Sequence, residues 1–330
     1  MPSYVLSCCS TVDLPQAMLD ERDIKYVYFN YELDGVQLKD DFGRTNSPAQ
    51  LYAKMVAGAD AKTSQVSVGD YVQHFTPYLE QGLDIVHVTL STGISGTYNS
   101  AIAASDELEA LYPGRRVYIV DSLAASAGYG LLVDKLADLR DEGMGAAELV
   151  AWAEEHKREL NHWFFSSDLS FFIRGGRISK AAGLVGGVLK ICPVMDVDHD
   201  GALAVREKIR TKARAAKRVV DIMRRRAAGA TDYTGKVYIS QSECLDDAHM
   251  VGDAIEAAFP HMDGHVLYTN VGATIGVHTG PGTVALFYWG EPRWRGGPVS
   301  LRRRLHDASA GSTSQSSSKG NLAAEMQKCS

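Results

Sequence analysis

The amino-acid sequence predicts an α/β fold in two domains, the first built on a parallel sheet covered by helices. Length is one reason, because 330 residues exceed what a single compact core usually holds. A second reason is the alternation of strand-like and helix-like segments through the first half, which is typical of a parallel sheet. The third is a change of pattern near residues 160–168, after which a hairpin signal and a basic helix follow.

In the first half, short apolar runs rich in Val and Tyr predict strands, and the longer stretches between them predict helices. The predicted strands are Tyr4–Ser7, Lys25–Tyr31, Ile85–Leu90 and Arg116–Asp121. The predicted helices are Val68–Gln81, Ser95–Leu111, Ala124–Glu142 and Ala146–Leu160.

The second half predicts a short Gly-rich helix after residue 171, a hairpin turn at Asp198–Gly201 and two further helices, Thr211–Ala228 and Asp246–Phe259. Its predicted strands are Trp163–Ser166, one that starts at Ile191, Lys236–Ser240, Val266–Thr269 and Thr283–Trp289. The expected domains are residues 1–165 and 166–300. Residues 301–330 include the low-complexity segment GSTSQSSSKG and are expected to form a flexible tail.

The composition is that of an ordinary globular protein, with 45% apolar and 22% charged residues. A net charge of −6 disfavours nucleic-acid binding, because such proteins usually carry a basic surface. No apolar run reaches the roughly 18 residues of a membrane span, and the N-terminus lacks the features of a signal peptide. The five cysteines show no CxxC or zinc spacing, which favours reduced thiols in the cytoplasm: Cys8, Cys9, Cys192, Cys244 and Cys329.

The stretch HVTLSTGISGTYNSAIAAS, residues 87–105, predicts a binding site. A strand that turns directly into a helix places free backbone N–H groups at a helix N-terminus, where anions bind. The hydroxyl groups of Ser91, Thr92, Ser95 and Thr97 add donors. Because the turn is uncharged, it suits one carboxylate better than a polyphosphate. The alternative is that Ser95 simply caps the helix.

This turn matches neither a P-loop, which requires a Lys, nor a Rossmann fingerprint, which requires GxGxxG. It is closer to the nucleophile elbow GxSxG, because Gly93 and Ser95 fit and Thr97 departs. A serine hydrolase or esterase that uses Ser95, Asp121 and His278 is therefore an alternative function, since this order along the chain matches α/β-hydrolases. The incomplete elbow and the missing HGGG-type oxyanion loop weigh against it.

Seven separated segments follow one another between about residues 4 and 290 in an order that is itself informative. They are TSQVSVGDYVQHF, STGISGTYNSA, VDSLAASAGYG, FIRGGRIS, ICPVMDVDHDGAL, KIRTK and IGVHTGPGTVALFY. Together they resemble the DegV family of bacterial fatty-acid-binding proteins. Each segment is only moderately specific, whereas seven in the family's order make a strong resemblance.

The resemblance implies a Rossmann-like first domain, a smaller α/β second domain with a mixed or antiparallel sheet, and a long-chain fatty acid in a buried tunnel. The carboxylate residues carried over are Thr63, Ser95 and His278. The residues expected to face the ligand or a partner are Thr92, Gly96, Arg177 and Arg210. Such a protein needs no cofactor and no metal and does no chemistry alone. It presents the acyl chain to a fatty acid kinase, which makes an acyl phosphate for phospholipid synthesis.

One position departs from the family pattern. The first strand of the family usually ends in a TDST-like segment, whereas this chain has Cys9 at the position where Asp is typical. The change removes a carboxylate near the end of the first strand and puts in doubt any role of that carboxylate in ordering the neighbouring loops.

Two further stretches each leave two interpretations open. The segment 181–194, together with Phe171 and Phe172, is expected either to line the tunnel or to fill the second core. The basic stretch 206–226 is expected either to dock an acidic kinase or to form a solvated helix face. A regulator that acts through this surface without any ligand is a third possible function.

Overall fold

Residues 3–179 and 191–293 are described by the computed structural model, and within these ranges the chain forms three sheets. The strands are β1 (Tyr4–Cys9), β2 (Lys25–Val27), β3 (Asn30–Leu33), β4 (Val36–Lys39), β5 (Ala61–Ser64), β6 (Asp84–Thr89), β7 (Val117–Asp121), β8 (Leu160–Ser166), β9 (Ile191–Val197), β10 (Leu203–Arg210), β11 (Val237–Gln241), β12 (Val266–Asn270) and β13 (Thr283–Trp289). The α-helices are α1 (Gln16–Glu21), α2 (Pro48–Val56), α3 (Val68–Glu80), α4 (Thr97–Leu111), α5 (Ser126–Asp141), α6 (Ala146–His156), α7 (Ser170–Arg174), α8 (Lys212–Arg226), α9 (Leu245–Ala258) and α10 (Ala273–Thr279).

The first sheet is parallel throughout, with the strand order β2-β1-β6-β7. Its central strand β1 is buried along its whole length, as expected when helices cover both faces. Leu6 and Cys8 face a core that includes α5, whereas Cys9 faces a second core formed with α3 and α4. The predicted parallel sheet is therefore confirmed.

The second sheet is mixed, with the strand order β10-β9-β8-β13-β11-β12. Its neighbouring strands are antiparallel except for β11 and β12, a parallel pair that α9 connects. Helix α5 packs against β1 of the first sheet and against β8, β11 and β13 of the second. The close approach depends on Gly128, because a Cβ there would lie 2.3 Å from the His162 ring and 2.5 Å from the Phe287 ring. The predicted α/β class with a second, mixed sheet is confirmed.

The prediction of one strand over Lys25–Tyr31 was wrong. Residues 25–27 form β2 in the parallel sheet, whereas β3 starts at Asn30 and belongs to a separate antiparallel sheet with the order β4-β3-β5. Between them, the N–H of Phe29 donates to Ser10 Oγ (3.0 Å), which turns the chain out of the first sheet. A continuous run of β-forming residues cannot reveal such a change of partner.

One helix boundary also differs from the prediction. The helix expected to reach Leu160 ends at His156, because Leu160 already belongs to β8. His278 lies in the short helix α10, which ends at Gly280 with φ of 66°. The hairpin turn predicted at Asp198–Gly201 is confirmed, since β9 and β10 pair antiparallel on either side of it.

Some expectations lie outside the described residues, namely those for 181–190, for the tail 301–330 and for Cys329. The predicted division at residues 165 and 166 falls within β8, and the domain limits stay a prediction. Among the helices that the structure describes, none combines the length and the apolar character that a bilayer span requires.

Candidate functional site

A cavity lies between the turns at the carboxyl end of the parallel sheet and the inner face of the second sheet. Its empty volume is about 1080 Å³, which includes open space at its mouth. The apolar residues that line it are Phe29, Leu90, Ile94, Ala125, Phe164, Phe172, Val197, Leu203, Val271, Ile275, Ala285 and Phe287. Ligands of α/β proteins commonly bind at this end of a parallel sheet. The sequence left open whether Phe171 and Phe172 line the tunnel or fill a core. Phe172 lines this cavity, whereas Phe171 packs in the core beside the third sheet.

The turn between β6 and α4 is held in place by the hairpin of the second sheet. Ser91 Oγ donates to the carbonyl of Gly201 (2.8 Å). A Cβ on Gly93 would lie 2.4 Å from the Gly201 backbone, so only glycine fits there. A contact between distant segments thus fixes the turn that carries Ser95.

Ser95 and Gly96 line the cavity at the N-terminus of α4, a helix of 15 residues. Ser95 Oγ accepts the N–H of Thr97 (3.3 Å), which leaves its hydroxyl hydrogen available to a ligand. The N-cap residue of α4 is Gly96 rather than Ser95. Partial positive charge at the start of this helix favours an anion beside Ser95.

Thr63 and His278 meet at the same cavity although 215 positions separate them along the chain. Thr63 Oγ1 of β5 lies 2.7 Å from His278 Nε2 of α10. The other ring nitrogen, Nδ1, is buried and has no hydrogen-bond partner among the described residues. The imidazole fits only because residue 175 is glycine, since a Cβ there would lie 2.2 Å from Nδ1.

Arg177 supplies the positive charge of the site. Its Nε donates to the carbonyl of Ile94 (3.1 Å) and its Nη1 to that of Gly175 (2.6 Å), so the guanidinium is fixed at the cavity wall. Burial, together with the nearby Arg177 charge, lowers the pKa of His278 to about 4, and His278 is therefore neutral at pH 7. Burial also lowers the pKa of Arg177, which stays charged.

Two of the predicted residues lie away from the cavity. Thr92 donates from its N–H and its hydroxyl to Asp121 (3.2 and 2.5 Å), and its side chain points to solvent. Arg210 is exposed at the end of β10. The structure therefore brings together Thr63, Ser95, Gly96, Arg177 and His278, and neither Thr92 nor Arg210 joins them.

The alternative triad is not assembled within the described residues. Asp121 is engaged by Thr92 and by the N–H of Leu123 (2.9 Å), and His278 pairs with Thr63 rather than with Ser95. A nucleophile needs its base within hydrogen-bond reach, and this arrangement lacks that contact.

Cys9 is a buried thiol beneath the site. Its N–H donates to Tyr129 Oη (2.7 Å), and its Sγ lies 3.3 Å from Tyr71 Oη. Burial raises the pKa of Cys9 to about 12, so the thiol is neutral. The Asp13 carboxyl group accepts the N–H of Gly272 (3.0 Å) next to α10.

Sequence reasoning missed six polar residues that line the cavity: Gln65, Ser126, His162, Thr274, Thr279 and Thr283. Gln65 lies in the same TSQ segment as Thr63 and donates to Ser100 Oγ of α4 (2.8 Å), so its position in that segment was a usable signal. His162 lines the cavity from β8, where nothing in the local pattern marks it as different from a core residue.

Comparison with known proteins extends over both sheets and the cavity. The family model described as "Uncharacterised protein, DegV family" matches residues 9–291. A DegV domain-containing protein of Clostridium perfringens (strain 13 / Type A) is 33% identical over 293 residues, which cover 89% of this chain and 99% of that protein.

Two solved structures share the fold. A DegV family protein from Thermus thermophilus, described as fatty acid binding, is 27% identical with a TM-score of 0.77, and the match covers 87% of this chain and 99% of that one. A DegV family protein from Eubacterium eligens, loaded with heptadecanoic acid, is 21% identical with a TM-score of 0.76, covers 87% and 100%, and shows the fold alone. From residue 9 to residue 291, this chain belongs to the DegV family.

Proposed function

We propose that this chain binds a long-chain fatty acid in the cavity and holds its carboxylate at Thr63, Ser95 and His278. The observation that carries the proposal is that these three side chains, from three distant segments, line one mostly apolar cavity, with Thr63 and His278 in contact. The relative from Thermus thermophilus, which is described as fatty acid binding, supports the same ligand class.

The polar groups fit an ionised carboxylate. Burying that charge without partners would be prohibitively costly. When Nε2 of His278 carries the proton, the imidazole donates to Thr63, and the Thr63 hydroxyl can then donate to the carboxylate. Ser95 adds a second hydroxyl donor, while Arg177 and the start of α4 add positive potential.

Most of the affinity comes from the acyl chain. At about 0.8 kcal/mol per buried methylene, a C16 chain contributes about 11 kcal/mol before the loss of its freedom is subtracted. A single hydrogen bond to the carboxylate contributes about 1 kcal/mol. The polar residues therefore orient the fatty acid more than they retain it.

We further propose that the chain acts as a non-catalytic subunit, which presents the carboxylate to a partner kinase for acyl-phosphate formation and phospholipid synthesis. The family resemblance supports this role, and the unassembled Ser95–His278–Asp121 set agrees with it. We place the protein in the cytoplasm, where ATP is available and its free thiols stay reduced.

Organic extraction of the purified protein, followed by mass spectrometry, tests the ligand. We expect about one long-chain fatty acid per chain, both in the natural protein and in Ser95→Ala. The variant loses a donor to the carboxylate but keeps the apolar wall, so its lipid content stays high while ATP-dependent phosphorylation of that lipid by a fatty acid kinase falls about tenfold.

Two results would contradict these proposals. A folded natural protein that neither carries nor takes up fatty acid would refute the ligand. A folded Ser95→Ala protein that is empty would refute the statement that the acyl chain dominates the affinity. Hydrolysis of a p-nitrophenyl ester that is lost in Ser95→Ala would favour the hydrolase instead.

The protonation of His278 should respond to the ligand. A bound carboxylate stabilises the imidazolium, so the pKa of His278 is expected to rise above its value of about 4 when fatty acid is added. Between the His278 pKa of the free protein and that of the complex, the complex carries a proton on His278 that the free protein lacks. Binding of the carboxylate therefore strengthens as the pH falls through this interval. An NMR titration of the histidine ring signals measures the change.

His74 is the control for this titration. Burial lowers the pKa of His74 to about 4 as well, but its Nε2 lies 2.8 Å from Ser7 Oγ, and the residue does not line the cavity. The pKa of His74 should stay constant on addition of fatty acid. Equal shifts of both rings would point to a global change and count against contact at His278.

A further inference from the structure

The polar residue His162 lies in the cavity wall among apolar side chains. It stands on β8, only 1% of its surface is exposed, and its ring packs edge-on against Phe287 at 5.4 Å between centroids. On the same strand, the next residue that faces the cavity is Phe164. An imidazole therefore occupies a position where the neighbouring wall is aromatic and aliphatic.

Both ring nitrogens of His162 are buried and make no hydrogen bond to any of the described residues. Burial, and after it the Arg293 charge, lower the pKa of His162 well below its usual range, and a weak contact of the ring with the backbone of Leu160 opposes this shift only in part. The ring is thus neutral, with one N–H donor and one acceptor. An unsatisfied buried polar group is unfavourable, so a partner for this ring would be stabilising.

The position of His162 is far from the carboxylate end. The wall is formed by alternate residues of β13, from Thr283 through Ala285 to Phe287, and His162 pairs with Phe287. Thr283 Oγ1 contacts the carbonyl of Thr279, the residue after His278, so this end of β13 adjoins the carboxylate residues. With a rise of about 3.4 Å per residue, Phe287 and His162 lie about 14 Å further along the cavity.

We propose that this cavity selects a fatty acid that carries a hydroxyl group in the middle of its chain, and that His162 recognises the hydroxyl by a hydrogen bond. The inference rests on the proposed function and names His162 as a residue that determines which acyl chain is preferred. A hydroxyl both donates and accepts, so it can pair with either nitrogen of a neutral imidazole. On its other side, His162 borders a second, narrow cavity with charged residues in its wall.

The test is a titration of the delipidated protein with octadecanoic acid and with octadecanoic acids that carry one hydroxyl at successive mid-chain carbons. We expect one position of the hydroxyl to bind about tenfold more tightly than the unsubstituted acid, because a satisfied imidazole replaces an unsatisfied one. Equal or weaker binding of the whole hydroxy series would overturn the inference and would show that water satisfies His162. Failure of every acid to bind would instead refute the proposed function.

Two variants test whether the preference for a hydroxy fatty acid depends on the His162 ring. In His162→Phe the affinity ratio of the best hydroxy acid to the unsubstituted acid should fall to about one or below, since the aromatic shape stays and both nitrogens are lost. Phe164→Leu, which changes the same wall without a polar atom, should keep the ratio at about tenfold. A preference that survives in His162→Phe would overturn the assignment, whatever the absolute affinities.

Discussion

Replacing Ala285 by phenylalanine is expected to empty the cavity of fatty acid. Ala285 lies in the middle of β13 and pairs in register with Phe164. Its small side chain forms part of the cavity wall. A benzyl group there would occupy the path of several methylenes. If the new ring excludes about four methylenes of the acyl chain from the cavity, each worth roughly 0.8 kcal/mol of burial free energy, the affinity falls by more than about a hundredfold. Extraction and mass spectrometry of the purified variant should find it largely free of lipid.

The control is Leu286→Phe, at the next residue of the same strand. Leu286 is fully buried but points to the other face of the sheet and does not line the cavity. Both changes overpack a buried position at a cost of about 1–3 kcal/mol, so their thermal stabilities should fall by similar amounts. Only Ala285→Phe should lose lipid, and an equal loss from both variants would mean that the acyl chain does not follow β13.

The fold was predictable where each segment shows its own periodicity. The parallel strands β1, β6 and β7 and the helices α3 and α4 came from apolar runs and Gly-rich turns. The third sheet was not predicted, because β3 to β5 are short and half exposed and their pairing is non-local. Helix α2 did carry a usable signal, since Ser47 and Gln50 form a capping box at its start and Pro48 is its first residue.

The site was predictable in part, and for two different reasons. Ser95 followed from local physics, because a turn into a helix predicts an anion site. Thr63, Arg177 and His278 came from resemblance alone, since nothing local indicates that β5, the segment after α7 and α10 converge. Thr92 was chosen for its hydroxyl, and only the structure reveals that Asp121 engages it. His162 could not be found, because a buried polar residue becomes informative only when its partners are known.

Gly175→Ala is expected to disable the carboxylate site through a clash between the new side chain and the His278 ring. Gly175 has φ of −72°, which alanine adopts without strain, so the backbone itself tolerates the change. The new Cβ would lie 2.2 Å from His278 Nδ1 and must displace the imidazole, which breaks its contact with Thr63. We expect about tenfold weaker fatty acid binding and a loss of stability of about 1–3 kcal/mol, measured by calorimetric titration and thermal unfolding.

A double-mutant cycle shows whether this effect passes through His278. If the clash with the ring is the cause, His278→Ala alone and the double variant with Gly175→Ala should bind equally weakly, because the second change has no ring left to displace. Gly69→Ala in α3 is the matched control, since a Cβ there would have only Ser67 Oγ within 4 Å, at 3.9 Å, and should leave binding unaffected. Additive losses from Gly175→Ala and His278→Ala would mean that residue 175 acts on another part of the cavity and not through His278.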